Sequence, residues 1–264
     1  MRFSMKNVYA LLVPVLLFPT ISFAQLPDCT AVGVAYGQLT GQLQAIVGAQ
    51  NNGGFGFQMW ATIVNRKGEV CLVTSSGGPG EEWPGSRVIS AQKANTANAF
   101  SLPAFSLSTA NLYTAVQPGG SLFGLQESNP VNPAVAYAGE ANNYGTATDP
   151  LITFKIGGIN VFGGGLALYN SSGILVGGLG MSGDSSCADH VIAWKLRHVL
   201  NLDFVPGGVN TDTTRPDNII YDIDQPGNSR AIAPSSASGW GQPHCLPTDV
   251  APSSLPQTQP FPHP

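Results

Sequence analysis

Residues 174–186, ILVGGLGMSGDSS, hold glycines at 177, 178, 180 and 183, and few chain paths can pass through such a stretch. Gly178, Gly180 and Gly183 spell G-x-G-x-x-G between an apolar run and a helical pattern, the spelling of a dinucleotide-binding turn. That fingerprint belongs to a parallel βαβ unit. Here residues 166–169 and 174–178 flank NSSG, a four-residue hairpin signal, so the strand entering the glycines is antiparallel. Beyond the helix, LDFVPGG is too short and too Pro-stopped to supply a parallel partner. The glycines therefore read as a strand that packs closely on a neighbour and turns sharply into a capped helix. A serine nucleophile elbow, G-x-S-x-G, is also missed, because Asp184 stands where its last glycine belongs.

The helix that follows, SSCADHVIAWKLRHVL, takes Ser185 or Ser186 as N-cap and Asp189 in its first turn. At 100° per residue, Ile192, Leu196, Val199 and Leu200 share one face, which packs on the sheet. His190, Trp194, Arg197 and His198 share the other. A Trp flanked by two histidines is unusual as open surface. That face predicts cover from a second subunit or from the C-terminal segment, with ligand binding by a histidine as the sharper alternative.

The N-terminus sets the expected compartment. Arg2 and Lys6 precede a short apolar run that closes on Ser22-Phe23-Ala24, the pattern of a cleaved secretory signal over residues 1–24. Without those two basic residues the formal charge moves from −4 to −6. With no basic run, nucleic acid and anionic membrane are unsuited as partners. No later segment is apolar for the ~20 residues a membrane span needs, so the expected product is soluble and periplasmic or secreted. Cys29, Cys71, Cys187 and Cys245 are far apart, without a C-x-x-C motif, and read as two disulfides. Of three pairings, Cys29–Cys71 with Cys187–Cys245 is preferred, the second tying the tail to the body. A free thiol or thiolate ligand is the alternative.

Elsewhere, residues 30–49 have helical spacing, and 55–76 read as a hairpin turning at Arg66-Lys67-Gly68. Residues 86–100 read as a helix with Ser86 as N-cap. Residues 102–150 are irregular, with a short helix expected in STANLYTAV. The segment from 203 to 264 holds eleven of the 21 prolines and has no periodicity. It reads as extended coil, pinned at Trp240 and Cys245, with the last ~15 residues disordered.

ISAQKANTANAF (89–100) resembles the K-A-x-T-A-x-x-F helix of the GlcG/HbpS-like haem-binding family. GGGLALYNSSGILVGGLGMSGDSSCADHVIA (163–193) resembles that family's second motif, a Gly-Gly turn, a hairpin, a glycine strand and an acidic helix start at Asp189. The resemblance implies an α/β fold, a central antiparallel sheet of about five strands with helices packed on it. It divides the chain into a signal (1–24), a domain (25–202, with an insertion around 102–160) and a Pro-rich extension (203–264). It also implies homo-oligomers and haem or a related tetrapyrrole as ligand. A haem site needs an apolar slot, an axial donor and a cation for the propionates. Donors on offer are His190, His198, Met59, Met181 and the tyrosines, and cations are Lys93, Arg87 and Arg197. His190, Lys93, Met181 and His198 are the candidate cofactor contacts, with His190 the candidate metal ligand. Lys93 pairing with Asp189, and Met181 as core, are the competing structural roles. The expected function is non-catalytic haem capture, buffering or sensing; an oligomeric accessory protein that binds another small molecule, or none, is the alternative. Asp184, the longer insertion, the four cysteines and the tail depart from the family pattern.

Overall fold

A computed structural model describes residues 28–78, 80–223 and 235–262. The expected signal segment lies outside the described residues. Helix α1 (Tyr36–Gly48) leads into strands β1 (Trp60–Asn65) and β2 (Val70–Ser75), joined by the turn at Gly68, whose φ of 77° suits glycine. Helix α2 (Pro84–Ala99) follows, then an irregular stretch with two single-turn helices, α3 (Leu125–Ser128) and α4 (Pro133–Ala136). Strands β3 (Gly165–Tyr169) and β4 (Leu175–Ser182) and helix α5 (Ser186–Val199) complete the domain. α2 begins two residues before the expected cap, because Pro84 supplies a first helical position that needs no N–H. STANLYTAV forms two 3₁₀ turns in place of a helix.

The sheet is antiparallel throughout, in the order β2-β1-β4-β3. Among the described residues it has four strands, where about five were expected. The apolar run after Leu151 reaches the β2 edge through bonds between Val70 and residues Thr153 and Phe154. Positive φ at Thr153, Gly157 and Gly158 stops it from extending into a strand.

The sheet separates two apolar layers. Trp60, Val64 and Val73 pack with Val88, Ala91 and Ala94 of α2. On the opposite face Ile63, Leu166, Leu168 and Leu179 pack with Leu39 and Leu43 of α1 and with Val191 and Ile192 of α5. The glycine strand explains how α2 sits. A Cβ on Gly178 would lie 2.2 Å from the Ala94 carbonyl oxygen, and one on Gly180 1.9 Å from that of Ser90. Helix backbone thus rests on strand backbone, as the antiparallel reading of the motif required. Asn170 closes the β3–β4 hairpin, its Oδ1 accepting the N–H groups of Ser172 and Ile174. Ser185 caps α5, its hydroxyl accepting the Ala188 N–H.

Both preferred disulfides are present, Cys29–Cys71 and Cys187–Cys245. The segment after Asp203 wraps the outer face of α5, so the cover expected over Trp194 comes from the chain's own tail. The Trp194 indole N–H donates to the Pro256 carbonyl at 2.9 Å, and Asp217 forms a two-pronged ion pair with Arg197. The expectation of disorder near the end departs from what is seen through residue 262. Leu255 is buried, and the Thr258 N–H bonds to the Thr214 carbonyl. Apolar surface and a buried indole N–H on α5 need partners, and this segment provides them. Val199, placed on the apolar face from its spacing, is left exposed where α5 ends.

Candidate functional site

Two regions concentrate chemistry. The first lies where α2, β4 and α5 meet, around Gly163 and Gly164. Lys93 Nζ lies 2.6 Å from Asp189 Oδ2, with neither side chain open to solvent, and 4.8 Å from the Phe162 ring centroid. Burial lowers the Lys93 pKa and raises that of Asp189 to about 6, while each partner's charge opposes the shift. A Cβ on Gly164 would stand 3.0 Å from Lys93 Nζ, and one on Gly163 2.9 Å from the His190 Cβ. The Gly-Gly turn therefore brings the two candidates to either side of one backbone segment, with no room left between.

His190 is fully buried and its ring stacks obliquely against Trp194, centroids 5.9 Å apart. Its Nε2 is 3.0 Å from Asn218 Oδ1 and 3.2 Å from the Ile219 amide nitrogen, and its Nδ1 has no hydrogen bond among the described residues. Burial pushes its pKa down to about 4, so it is neutral at neutral pH. Met181 is buried in the layer beneath α5. His198 stands apart at the end of α5, its Nδ1 2.7 Å from Asp203 Oδ2. In this conformation Lys93, His190 and His198 are held by partners within the chain, and Met181 belongs to the core. Cys187, Cys245 and Asp249 have metal-ligand spacing, but the two sulfurs are joined to each other.

The second region is a cavity of about 690 Å³ between α1, the β1–β2 edge, the start of α2 and residues 137–146. That volume is within the range of cofactor pockets. Its walls include Tyr36, Trp60, Tyr144 and Tyr137, with Glu82 and Arg87 as its charged residues. Arg87 is locked. It forms a two-pronged pair with Asp149, at 2.9 and 2.5 Å, donates to the Ala136 carbonyl and covers the Tyr144 ring at 3.7 Å. Asp149 also accepts the Gly145 and Leu151 N–H groups, which fixes residues 145–151 against α2. The Tyr36 hydroxyl donates to the Gly145 carbonyl at 2.6 Å and clips the same wall to α1. Glu82 accepts the Gly77 N–H.

None of His190, Lys93, Met181 and His198 lines this cavity. Among residues named from sequence, Arg87 and three tyrosines, Tyr36, Tyr137 and Tyr144, do, as members of broader donor and cation sets. Trp60 carried no sequence signal beyond its place at the start of a strand.

A four-stranded antiparallel sheet covered by helices on both faces, with a cavity at one end, defines an α/β sandwich. The chain belongs to the HbpS-like family: the family model described as haem degrading protein HbpS-like matches residues 43–196. Among solved structures it is similar to ORFY of Klebsiella pneumoniae, at 22% identity and a TM-score of 0.43, over 70% of this chain and 97% of that one. It is also similar to PduOC in its heme complex, at 25% identity and 0.40, over 62% and 92%. A double mutant of HbpS from Streptomyces reticuli aligns at 16% identity and 0.41, over 72% and 98%. No curated protein matched.

Proposed function

We propose that this is an exported protein that binds haem or a related tetrapyrrole without transforming it, and that it serves in capture, buffering or sensing. One observation carries the reading: a domain matched by the haem-associated family model encloses a cofactor-sized, aromatic-walled cavity. A tetrapyrrole is a broad flat apolar body, and Trp60, Tyr36 and Tyr144 offer it ring surfaces. Arg87 is already neutralised by Asp149, so the propionates would face water. Two disulfides agree with an oxidising compartment. Among the described residues no helix is long and apolar enough to cross a membrane. The homo-oligomer implied by family resemblance would need an interface other than the Trp194 face, which the tail covers.

Titrating the purified protein with haemin tests the reading. Saturable growth of a Soret band near one haem per chain supports it, and uptake that never saturates sinks it. The accessory-protein reading is favoured by one detail: among the described residues of the cavity wall, the charge without an ionic partner is the carboxylate of Glu82, which suits a neutral or cationic ligand. Saturable binding of a neutral aromatic probe, with no haemin uptake, would select that reading.

A further inference from the structure

We infer that the 690 Å³ cavity is a site for an organic ammonium ion, with the Glu82 carboxylate as counter-charge and the rings of Tyr36 and Trp60 as walls. This rests on the second reading above, a small molecule other than haem, and gives it a ligand class.

The charges of the wall decide the class. Arg87 is paired on two prongs with Asp149 and offers no charge to a ligand. Glu82 is 7% exposed, its Oε1 accepts the Gly77 N–H at 3.0 Å, and its Oε2 has no hydrogen bond among the described residues. A second carboxylate stands beside it. A Cβ on Gly77 would lie 2.8 Å from Glu81 Oε2 and 3.0 Å from Glu82 Oε1, so glycine leaves room for both. Neither acid has an ion-pair partner among the described residues. Neighbouring carboxylates repel each other, and a cation bound beside them relieves that repulsion.

The rings supply the rest. A Cβ on Gly145 would stand 3.0 Å from Trp60 Cζ3, and the Gly145 carbonyl accepts the Tyr36 hydroxyl. One glycine thus gathers Trp60 and Tyr36 next to Tyr144. The Tyr144 face already carries the Arg87 guanidinium at 3.7 Å, whereas no cation covers Tyr36 or Trp60 among the described residues. An aromatic face attracts a cation through its quadrupole, more strongly away from bulk water. Rings in place of further oxygens favour an organic cation over calcium, which takes about six to eight oxygens. Haem is the poorer occupant. It brings two carboxylates and an iron to a wall with no free cation and no His, Met or Cys.

The test is calorimetric titration of the full chain with three probes that share one aromatic body. Phenethylamine is a cation at neutral pH, phenethyl alcohol is neutral and hydrocinnamate is an anion. The amine should bind saturably, about tenfold or more tighter than the alcohol, and hydrocinnamate should not bind. Glu82→Gln keeps an oxygen for the Gly77 N–H. It should erase the preference for the amine while leaving the alcohol affinity and the melting temperature as in the parent. Glu81→Gln, outside the cavity wall, should weaken the amine less. Equal affinity for amine and alcohol overturns the inference and leaves the small-molecule reading standing. A preference for the amine that persists in Glu82→Gln overturns the assignment of the counter-charge. Absence of saturable binding by all three probes overturns the inference and that reading together. No probe contains iron or a porphyrin, so the haem reading stands or falls separately on the haemin titration.

Discussion

Lys93 on α2 and Asp189 on α5 meet at 2.6 Å through the Gly163–Gly164 turn, and neither is open to solvent. Removing one partner strands the other's charge. Lys93→Met should destabilise the fold by about 3–5 kcal/mol near neutral pH. The loss should shrink as the pH falls, because burial already raises the Asp189 pKa and removing Lys93 takes away the charge that opposes that rise. Lys93→Met with Asp189→Leu should recover much of it. Urea unfolding of the parent and both variants measures this.

The His190 pKa is depressed to about 4 from an ordinary 6.5. Between those values the unfolded chain binds a proton that the folded one refuses. The contribution is therefore complete above the ordinary pKa and is lost as pH falls, at about 1.4 kcal/mol per pH unit. Asp189, with its raised pKa, works in the opposite direction over an overlapping range, so the parent's total slope mixes both. The difference between parent and His190→Gln isolates the histidine. The rise in urea midpoint from about pH 5 to about pH 7 should be smaller in the variant than in the parent, or turn into a fall.

Gly180→Ala places a Cβ 1.9 Å from the Ser90 carbonyl oxygen, and Gly178→Ala places one 2.2 Å from that of Ala94. Neither clash is with a movable side-chain end, so α2 must lift from the sheet. Each change should destabilise by about 1–3 kcal/mol or more. Thermal melts that fell no further than for an alanine placed at Gly37, where a Cβ meets nothing within 4 Å, would contradict this.

Asp184 lies between β4 and α5, and its carboxylate accepts the N–H groups of Phe55 and Phe57 at 2.8 to 3.0 Å. Gly54 makes the approach feasible: a Cβ there would lie 2.3 Å from Asp184 Oδ1. The loop so held presents Phe55 stacked on Phe57, with Trp83 edge-on to Phe57. Asp184→Gly should cost about 1–3 kcal/mol. It should also speed hydrogen exchange at the Phe55 and Phe57 amides while leaving the β1–β4 ladder protected.

What could be read in advance follows from the range over which each feature is determined. The hairpin, glycine strand and capped helix occupy adjacent residues, and their turn chemistry is local, so they were legible. The disulfides were narrowed by the small number of pairings. The cavity was not legible, because its walls come from distant parts of the chain: Tyr36 and Gly145, which clip it together, are 109 positions apart. No periodicity marks Tyr137 as a wall residue. Lys93 and His190 were singled out for their chemistry, but only packing shows that a glycine turn fills the space between them. The tail had no period to read because its path follows the polar groups of α5 and not a pattern of its own.

The indole N–H of Trp194 takes its partner from Pro256, 62 positions later, and Cys187 waits 58 positions for Cys245. During synthesis, α5 leaves the ribosome well before the segment that covers it. Until that segment arrives, the helix shows a Trp and an unmatched Arg197 to its surroundings, so the native state has no complete precursor. The consequence is a delay written into the order of the chain. The outer face of α5 is therefore completed only after the segment around Pro256 has followed it.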